Sequence, residues 1–386
     1  MLSCTGLGRR APAVGAAPRG GGVGVARLRV GVLFGGRSGE HEVSLASAAS
    51  VLRALDPARY EAVPLGISRD GRWMVEGDPL GLLRSLAPLP APDPRDPLGF
   101  AAAAPRLQAL DVVFPVLHGP FGEDGTVQGL LDLLDVPYVG AGVAASALGM
   151  DKVLMKRAFR DAGLPVVETA VLLRADWAVD PAEAMRQVEA TVGLPCFVKP
   201  ANMGSSVGVA KCRTRAELEA GLAAASVHDR KVLAERAVDC REIEVSVLGN
   251  DRPEASVVGE IVPKRDWYDY EAKYTEGMCD VKIPAPLEPA QAAAIRRTAL
   301  DAYRAVDCAG MARVDFFLER ENGALWLNEI NTIPGFTATS VYPKLWEATG
   351  LPYPALLHRL IDLALERHRD RAGRPGAAGM AAAGAT

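Results

Sequence analysis

The sequence lacks a hydrophobic run long enough to cross a membrane, and it lacks a surplus of charge of either sign. No uninterrupted apolar stretch reaches about 18 residues, the shortest length typical of a transmembrane helix. The 43 Lys and Arg residues and 47 Asp and Glu residues give a formal net charge of −4. Such a balance indicates neither a nucleic-acid partner nor a membrane partner. These absences predict an ordinary soluble globular protein.

Paired cysteines and metal-spaced histidines are also missing. The six cysteines are scattered along 386 residues without a C-x-x-C pair, and the five histidines contain no H-x-x-x-H. This spacing is typical of a reduced, cytoplasmic protein and argues against a thiolate zinc site. The length alone predicts two or three domains.

The two ends have compositions unlike the rest of the chain. Residues 1–27 are rich in Gly, Ala and Arg and contain no acid, and residues 371–386 are low in complexity. We interpret both as disordered segments outside the fold. For residues 1–27, an Arg-rich, acid-poor targeting peptide is the alternative.

Two glycine-rich turns follow buried strands in the first third of the chain. The apolar run 28–34 leads into GGRSG, and the run 111–117 leads into His118 and GPFGEDG. Ligands of open α/β sheets bind beyond the carboxyl ends of the strands, so both turns are candidate parts of a site. The first turn does not have the G-x-G-x-x-G spacing of a dinucleotide fold. Glu42 either meets a ligand or complements the helix dipole, and His118 is either a ligand residue or a packed turn residue.

The centre of the chain contains further candidates for binding an anion. Lys152 lies near the start of an amphipathic helix predicted over 146–163, where a cation opposes the helix dipole, so it either meets an anion or is solvated. The small-residue loop 201–206 either covers phosphates or is a plain hairpin loop. The loop 264–278 mixes aromatic and charged residues without a period. It is either a lid over a site or an aromatic contact surface.

A predicted β-hairpin over 311–335 concentrates polar residues. Apolar runs on both sides of Asn322-Gly323 predict two strands joined by a tight turn. Because side chains alternate faces along a strand, the polar residues of both strands converge if the strands pair through that turn. The residues on these faces are Arg313, Asp315, Phe317, Glu329 and Asn331. Carboxylate and amide oxygens suit Mg²⁺ and leave room for phosphates; an Arg–Asp ion pair on an ordinary hairpin is the alternative.

Together these stretches resemble the D-alanine–D-alanine ligases of the ATP-grasp family. Several long, unusual motifs occur in the family's order between residue 29 and about residue 368, which is far more specific than any one motif. The motifs are GEHEVS (39–44), HGPFGEDGTVQG (118–129), MDK (150–152), KPANMGSSVG (199–208), REIEV (241–245), YDYEAKY (268–274), ARVDFFL (312–318) and NEINTIPGFTATSVYP (328–343).

The resemblance implies an α/β fold, α+β overall. An open parallel α/β domain would cover 28–145, and an ATP-grasp fold of two antiparallel sheets with helices would cover 146–240 and 241–370. ATP would be a co-substrate, two Mg²⁺ (or Mn²⁺) would assist it, and the protein would be a cytoplasmic homodimer that binds neither nucleic acid nor membrane.

The resemblance also implies a role for each motif. The residues implied for ATP binding are Lys152, Lys199, Ser206, Glu235, Ala237, Glu242 and Phe317. The implied metal ligands are Asp315, Glu329 and Asn331. The implied catalytic residues are Glu42, Ser205, Lys273, Tyr274, Arg313 and Gly335, and the implied D-alanine ligands are His118 and Ser340. Glu42 would hold the ammonium of the first D-alanine in a hydrogen-bonded group with Ser205 and Tyr274.

The implied activity is ATP-dependent joining of two D-alanines through a D-alanyl phosphate. One alternative is another ATP-grasp carboxylate–amine ligase, including a D-alanyl-D-lactate or D-alanyl-D-serine ligase. A non-catalytic nucleotide-binding regulator is the other, disfavoured because the metal ligands and Arg313 are all present. Tyr274 favours the dipeptide, since depsipeptide-forming relatives typically carry Phe or His at that place.

Overall fold

The computed structural model of the chain describes residues 27–85, 89, 91–205, 207–263 and 279–372. Within these ranges no helix is both long enough and apolar enough to cross a bilayer. The strands are β1 (Leu28–Gly35), β2 (Tyr60–Ile67), β3 (Trp73–Met74), β4 (Val112–Pro115), β5 (Thr169–Leu173), β6 (Cys196–Pro200), β7 (Ala210–Cys212), β8 (Lys231–Arg236), β9 (Cys240–Gly249), β10 (Glu254–Pro263), β11 (Cys279–Lys282), β12 (Gly310–Glu319) and β13 (Leu325–Asn331). The helices are α1 (His41–Ala54), α2 (Pro79–Arg84), α3 (Phe100–Gln108), α4 (Thr126–Leu133), α5 (Val143–Met150), α6 (Lys152–Asp161), α7 (Arg174–Val179), α8 (Pro181–Thr191), α9 (Arg215–His228), α10 (Pro289–Ala305), α11 (Val341–Ala348) and α12 (Tyr353–Ala372).

The first sheet has the strand order β3-β2-β1-β4. Strand β1 pairs in parallel with β2 and β4, and the short β3 adds an antiparallel edge. Val30, Val32 and Phe34 of β1 are fully buried, which explains why this strand is a continuous apolar run. The predicted open parallel sheet is therefore confirmed, with one antiparallel strand that the sequence did not indicate.

The last helix, α12, packs on the first sheet although it lies at the other end of the chain. Leu356 and Ile361 share one hydrophobic cluster with Val30 and Phe34. The predicted range 241–370 placed this helix with the third sheet alone. The helix also runs two residues into the predicted tail.

The other two sheets are antiparallel, as expected. Their strand orders are β5-β8-β6-β7 and β11-β10-β9-β12-β13. The loop between β6 and β7 carries the small-residue segment 201–206, of which residue 206 lies outside the described ranges. The segment 264–278, predicted to be a lid, also lies outside them.

The hairpin of β12 and β13 has the register that the alternation of its side chains predicts. Arg313 lies opposite Asn331, and Asp315 lies opposite Glu329. A register shift follows between Asp315 and Phe316, so the pairing beyond it moves by one residue. The predicted convergence of an arginine, two carboxylates and an amide is confirmed.

The helix predicted over 146–163 is interrupted. Helix α5 ends at Met150, and Asp151 adopts an extended conformation with φ −86° and ψ 98°. Its carboxylate accepts hydrogen bonds from the amides of Val153 and Leu154 at 3.1 and 3.2 Å, so it caps α6. The amide of Lys152 bonds Ala201 O at 3.0 Å. The break thus joins Lys152 to the loop that follows β6.

Candidate functional site

A cavity of about 1300 Å³ is lined by residues of the second and third sheets, of α1 and of the loop after β4. Most of the predicted site residues lie on its wall. They are Glu42, His118, Lys152, Lys199, Ser205, Glu235, Ala237, Glu242, Arg313, Asp315, Phe317, Glu329, Asn331, Gly335 and Ser340. The remaining predicted residues, Ser206, Lys273 and Tyr274, lie outside the described ranges.

A buried charge cluster lies where β6 and β8 meet. Glu235, only 1% exposed, accepts from Lys199 at 2.6 Å and lies 2.8 Å from Lys156 Nζ. Burial would raise the pKa of Glu235, but the two lysines outweigh it and lower that pKa to about 2. Burial lowers the pKa of Lys156, whereas in Lys199 the attraction of Glu235 outweighs burial and the pKa rises.

The aromatic ring of Phe317 lies beside this cluster. Lys199 Nζ is 6.0 Å from the ring centroid, within the range of a cation–π contact. In the sheet register Phe317 is opposite Glu242 on β9, and both side chains are partly exposed. An aromatic face beside an acid and a lysine suits a planar ligand with an anionic tail.

Ala237, one of the residues implied for ATP binding, comes directly after β8. The amide of Ala237 donates to Pro195 O at 3.1 Å and is therefore already used inside the protein. Ala237 lies on the cavity wall, and its implied role in ATP binding stays a prediction. Val238, the next residue, also lines the cavity.

Lys152 connects the loop after β6 with the hairpin. Its ammonium donates to Met203 O at 2.8 Å and lies 3.7 Å from Glu329 Oε2. The side chain is 15% exposed, so it is held by protein atoms more than by water. Its position at the first residue of α6 brings a cation beside the hairpin carboxylates.

The acid that contacts Ser205 is Glu40 and not Glu42. Glu40 immediately precedes α1, and its carboxylate accepts a hydrogen bond from the Ser205 hydroxyl. The side chain of Glu42 is 63% exposed and forms an ion pair with Arg69 at 2.8 Å. The predicted contact between Glu42 and Ser205 is therefore wrong. Successive residues of an α-helix point about 100° apart around the helix axis. Glu42, two residues after Glu40, therefore points in a different direction.

The loop after β6 approaches Glu40 too closely for a side chain at its tip. A Cβ atom added to Gly204 would lie 2.5 Å from Glu40 Oε2. Ser205 itself has a φ of 49°, a left-handed conformation that is uncommon outside glycine. This backbone and the Glu40 contact together fix the Ser205 hydroxyl in the cavity.

The hairpin cluster contains its own counter-ion. Arg313 donates from Nε and Nη2 to the two oxygens of Asp315 at 2.7 Å each, and its Nε lies 3.2 Å from Glu244 Oε2. The predicted alternative, an Arg–Asp ion pair, thus exists within the larger cluster. It also fixes the plane of the guanidinium group.

The donor set of the hairpin fits a divalent cation. Asp315, Glu329 and Asn331 offer two carboxylates and one amide, the hard oxygen ligands that Mg²⁺ prefers. Across the described residues no group of three or more His, Cys, Asp or Glu side chains is arranged to hold a metal ion. Only two of the three predicted ligands, Asp315 and Glu329, belong to these four residue types, because the third ligand is Asn331.

His118 and Glu123 tie the first sheet to the loop after β13. His118, 4% exposed, shares a hydrogen bond of 3.0 Å between Nδ1 and Ile333 O. Glu123 accepts from Gly119 N at 2.6 Å and from Ile333 N at 3.2 Å. Burial, and then the nearby charge of Glu40, raise the pKa of Glu123 to about 8.

This network positions the segment that carries Gly335 and Ser340. A Cβ atom on Gly335 would lie 3.2 Å from Ser340 Oγ, so the two residues are direct neighbours. The Ser340 hydroxyl accepts from Thr337 N at 3.1 Å. The segment thus presents a backbone amide and a hydroxyl side by side on the cavity wall.

Sequence reasoning missed Glu40, Glu123 and Glu244. Glu40 and Glu123 are in the quoted motifs GEHEVS and HGPFGEDGTVQG, and Glu244 is in REIEV. Alternation along β9 would have found Glu244, since Glu242 and Glu244 share a face. For Glu40 and Glu123 the local sequence offers several acids and no periodicity to choose between them.

Two family models match most of the chain. A model described as "D-ala D-ala ligase N-terminus" matches residues 29–141, and one described as "D-ala D-ala ligase C-terminus" matches residues 158–362. The D-alanine–D-alanine ligase of Geobacillus kaustophilus is 47% identical over 356 residues, which is 89% of this chain and 96% of that protein. The ligase of the same name from Thermoanaerobacter sp. is 49% identical over 355 residues, 89% of this chain and 98% of that protein.

Solved structures agree with the sequence matches. The D-alanine-D-alanine ligase from Coxiella burnetii superposes with a TM-score of 0.75 at 37% identity, covering 90% of this chain and 96% of its own. The VanG D-Ala:D-Ser ligase from Enterococcus faecalis also has a TM-score of 0.75, at 33% identity, covering 88% of this chain and 100% of its own.

Proposed function

The chain belongs to the D-alanine–D-alanine ligase family, and from this premise we propose that its cavity activates one D-alanine with ATP and joins it to a second. The reaction is ATP-dependent: two D-alanines and ATP give D-alanyl-D-alanine, ADP and phosphate. The dipeptide serves peptidoglycan precursor synthesis. The observation that carries the assignment to this cavity is the convergence of the Lys152–Glu329 pair, the Arg313–Asp315 pair and the Glu40–Ser205 pair on one wall.

We propose that the nucleotide binds along β6, β8 and β12. Lys152 and Lys199 would neutralise its phosphates, and Phe317 would pack on the base. Glu242, opposite Phe317, would accept from the ribose. The carboxylate of Glu235 is held by two lysines, so its role is to orient Lys199 and not to touch the base.

We propose that Asp315, Glu329 and Asn331 hold two Mg²⁺ (or Mn²⁺) ions. When bound there, divalent cations would offset the negative charge of the phosphates during phosphoryl transfer. The residues themselves supply oxygen atoms at one end of the cavity, next to Lys152.

We propose that Glu40 accepts the ammonium of the first D-alanine, with Ser205 holding the carboxylate of Glu40 in place. His118, buried and bonded to Ile333 O, would pack beside that substrate. Lys273 would reach the transferred phosphoryl group, and Tyr274 would join the Glu–Ser pair from the loop 264–278. Closure of such a loop would keep water away from the acyl phosphate.

The chemistry then needs two steps. A carboxylate oxygen of the first D-alanine attacks the γ-phosphorus of ATP, the bond to ADP breaks, and a D-alanyl phosphate forms. The amine of the second D-alanine, having lost a proton, attacks the acyl carbon, and phosphate leaves. We propose that Arg313 and the N–H of Gly335 stabilise the oxyanion, each such donor contributing about 3 kcal/mol. Because Asp315 and Glu244 hold Arg313, it needs little reorganisation during the reaction.

Glu40 and Glu42 provide a matched pair of variants. We expect Glu40→Gln to lower kcat/KM for the first D-alanine by about a hundredfold or more, because the partly buried partner of the substrate ammonium loses its charge. Glu42→Gln removes only an exposed ion pair, so activity should stay within about threefold of the wild type. Steady-state phosphate release checks both. Equal losses in the two variants would contradict the assignment of Glu40.

Substrate choice tests the proposed function as a whole. Phosphate release from ATP should require D-alanine in a panel of D- and L-amino acids, and mass spectrometry should show D-alanyl-D-alanine as the main product. D-Serine or D-lactate as a markedly better second substrate would instead identify a ligase for those products. No amino-acid-dependent phosphate release at all would favour a non-catalytic nucleotide-binding protein.

We also propose a homodimer and a cytoplasmic location, both supported by the family resemblance. Light scattering on the purified chain tests the first proposal, with twice the chain mass expected. A mass of one chain that persists at high protein concentration would contradict it.

A further inference from the structure

Lys344 lies one helical turn after Ser340 on the wall of the cavity. Its amide donates to Ser340 O at 3.2 Å, so the first turn of α11 is formed between the two residues. Residues four apart lie on the same face of a helix. A helical side chain leans toward the N-terminus of its helix, which directs the ammonium of Lys344 toward Ser340.

Five other cations of the cavity wall have carboxylate partners. Lys152 pairs with Glu329, Lys199 with Glu235, Arg236 with Glu168, Arg313 with Asp315 and Arg320 with Asp239. Across the part of the chain that the structure describes, Lys344 and Lys211 line the cavity without an acid within 4.0 Å. Lys211 lies on β7, where its ammonium is 5.7 Å from the ring centroid of Phe197.

Lys344 therefore supplies a positive charge that no acid of the described residues pairs with, at the end of the cavity that holds Gly335 and Ser340. The amine of the second substrate must reach an acyl carbon beside the Gly335 amide. In an α-amino acid only one carbon separates the amine from the carboxylate carbon. When the amine is in position, the carboxylate therefore stays close to the Gly335 amide, in the part of the cavity that Ser340 and Lys344 line.

We propose that Lys344 binds the carboxylate of the second D-alanine and so restricts the nucleophile to amino acids with an ionised carboxylate. This inference rests on the proposed function. A lysine that is only solvated would not affect the choice of nucleophile. A lysine that binds the carboxylate disfavours amides and simple amines, because these leave its positive charge without a carboxylate partner.

Neutral substitutions test the proposal. Lys344→Met keeps the unbranched stem and removes the charge. We expect it to raise KM for the second D-alanine by about tenfold to a hundredfold, the factor for one charge-assisted hydrogen bond, with KM for ATP and for the first D-alanine unchanged. Lys344→Gln should give the same increase, and Lys344→Arg should stay within about fivefold of the wild type because it keeps a cation.

Ionic strength and the choice of nucleophile separate a charge effect from a structural one. Raising salt from about 0.05 M to about 0.5 M should raise KM for the second D-alanine in the wild type and leave that of Lys344→Met nearly constant. D-Alaninamide, which lacks the carboxylate, should serve as second substrate about equally well for the wild type and for Lys344→Met. The matched control is Lys282→Met, which removes an exposed lysine outside the cavity wall and should behave as the wild type.

Hydroxylamine traps an acyl phosphate and so reports on the first step alone. At a hydroxylamine concentration that traps all of the acyl phosphate, hydroxamate formation from D-alanine and ATP should be equal in the wild type and Lys344→Met. Unchanged KM values and salt dependence in the neutral variants would overturn the role of Lys344 while leaving the proposed function in place. A wild-type chain that forms neither hydroxamate nor phosphate would overturn the proposed function, and the Lys344 assignment with it.

Discussion

Replacing Asp315 or Glu329 by alanine should abolish both dipeptide synthesis and D-alanine-dependent phosphate release. The two carboxylates face each other across the hairpin, and they are the proposed ligands of the cations that assist phosphoryl transfer. Their removal should cost a factor of about a thousand or more in kcat. The fold should persist, because both side chains lie on the cavity wall and not in a hydrophobic core.

Two measurements and one control variant make this result specific. Phosphate release is followed as a function of Mg²⁺ concentration, and thermal unfolding shows whether the variant is folded. Glu254→Ala, at the exposed first residue of β10 in the same sheet, is the matched control and should retain full activity. An Asp315 or Glu329 variant with near-normal turnover and unchanged Mg²⁺ dependence would refute the assignment of metal ligands.

Replacing Glu235 by alanine should have the largest effect on stability. The change leaves Lys156 and Lys199 buried without their shared counter-charge. Breaking a buried ion pair from one side typically costs about 3–5 kcal/mol of unfolding free energy. Denaturant unfolding of wild type and variant at pH 7 measures the difference. A loss below about 1 kcal/mol, the level of an exposed pair, would show that the lysines find water or other partners.

The carboxylate of Glu235 also makes the free energy of unfolding depend on pH. The pKa of Glu235 is about 2 in the folded chain, below its ordinary value of 4.5. As the pH falls, Glu235 is therefore protonated in the unfolded chain before it is protonated in the folded chain. Its contribution to the free energy of unfolding is fully present above pH 4.5 and is lost as the pH falls toward 2. We expect Glu235→Gln to show a shallower loss of stability between these values than the wild type. Identical slopes would contradict the lowered pKa.

Local patterns were enough to predict the hairpin cluster. Alternation along two strands and a turn between them set the faces of Arg313, Asp315, Glu329 and Asn331, and the turn fixes the register within a few residues. The order of the sheets and the position of Lys199 at the end of β6 were likewise readable from short apolar runs.

Contacts between distant segments were not predictable in the same way. Whether Glu40 or Glu42 meets Ser205 depends on a loop 165 residues away from Glu40, and no pattern near α1 encodes that distance. The break at Asp151 was missed because an acid inside an amphipathic pattern looks like a surface residue until its side chain is seen to cap α6.

The most direct test of the central claim is to follow the oxygen atoms of the substrate. D-Alanine labelled with heavy oxygen in its carboxylate is incubated with ATP and the chain, and the released phosphate is examined by mass spectrometry. If the carboxylate attacks the γ-phosphorus and the second amine then displaces phosphate, each phosphate should carry one labelled oxygen. Phosphate without the label, or release of AMP and pyrophosphate, would contradict activation through a D-alanyl phosphate.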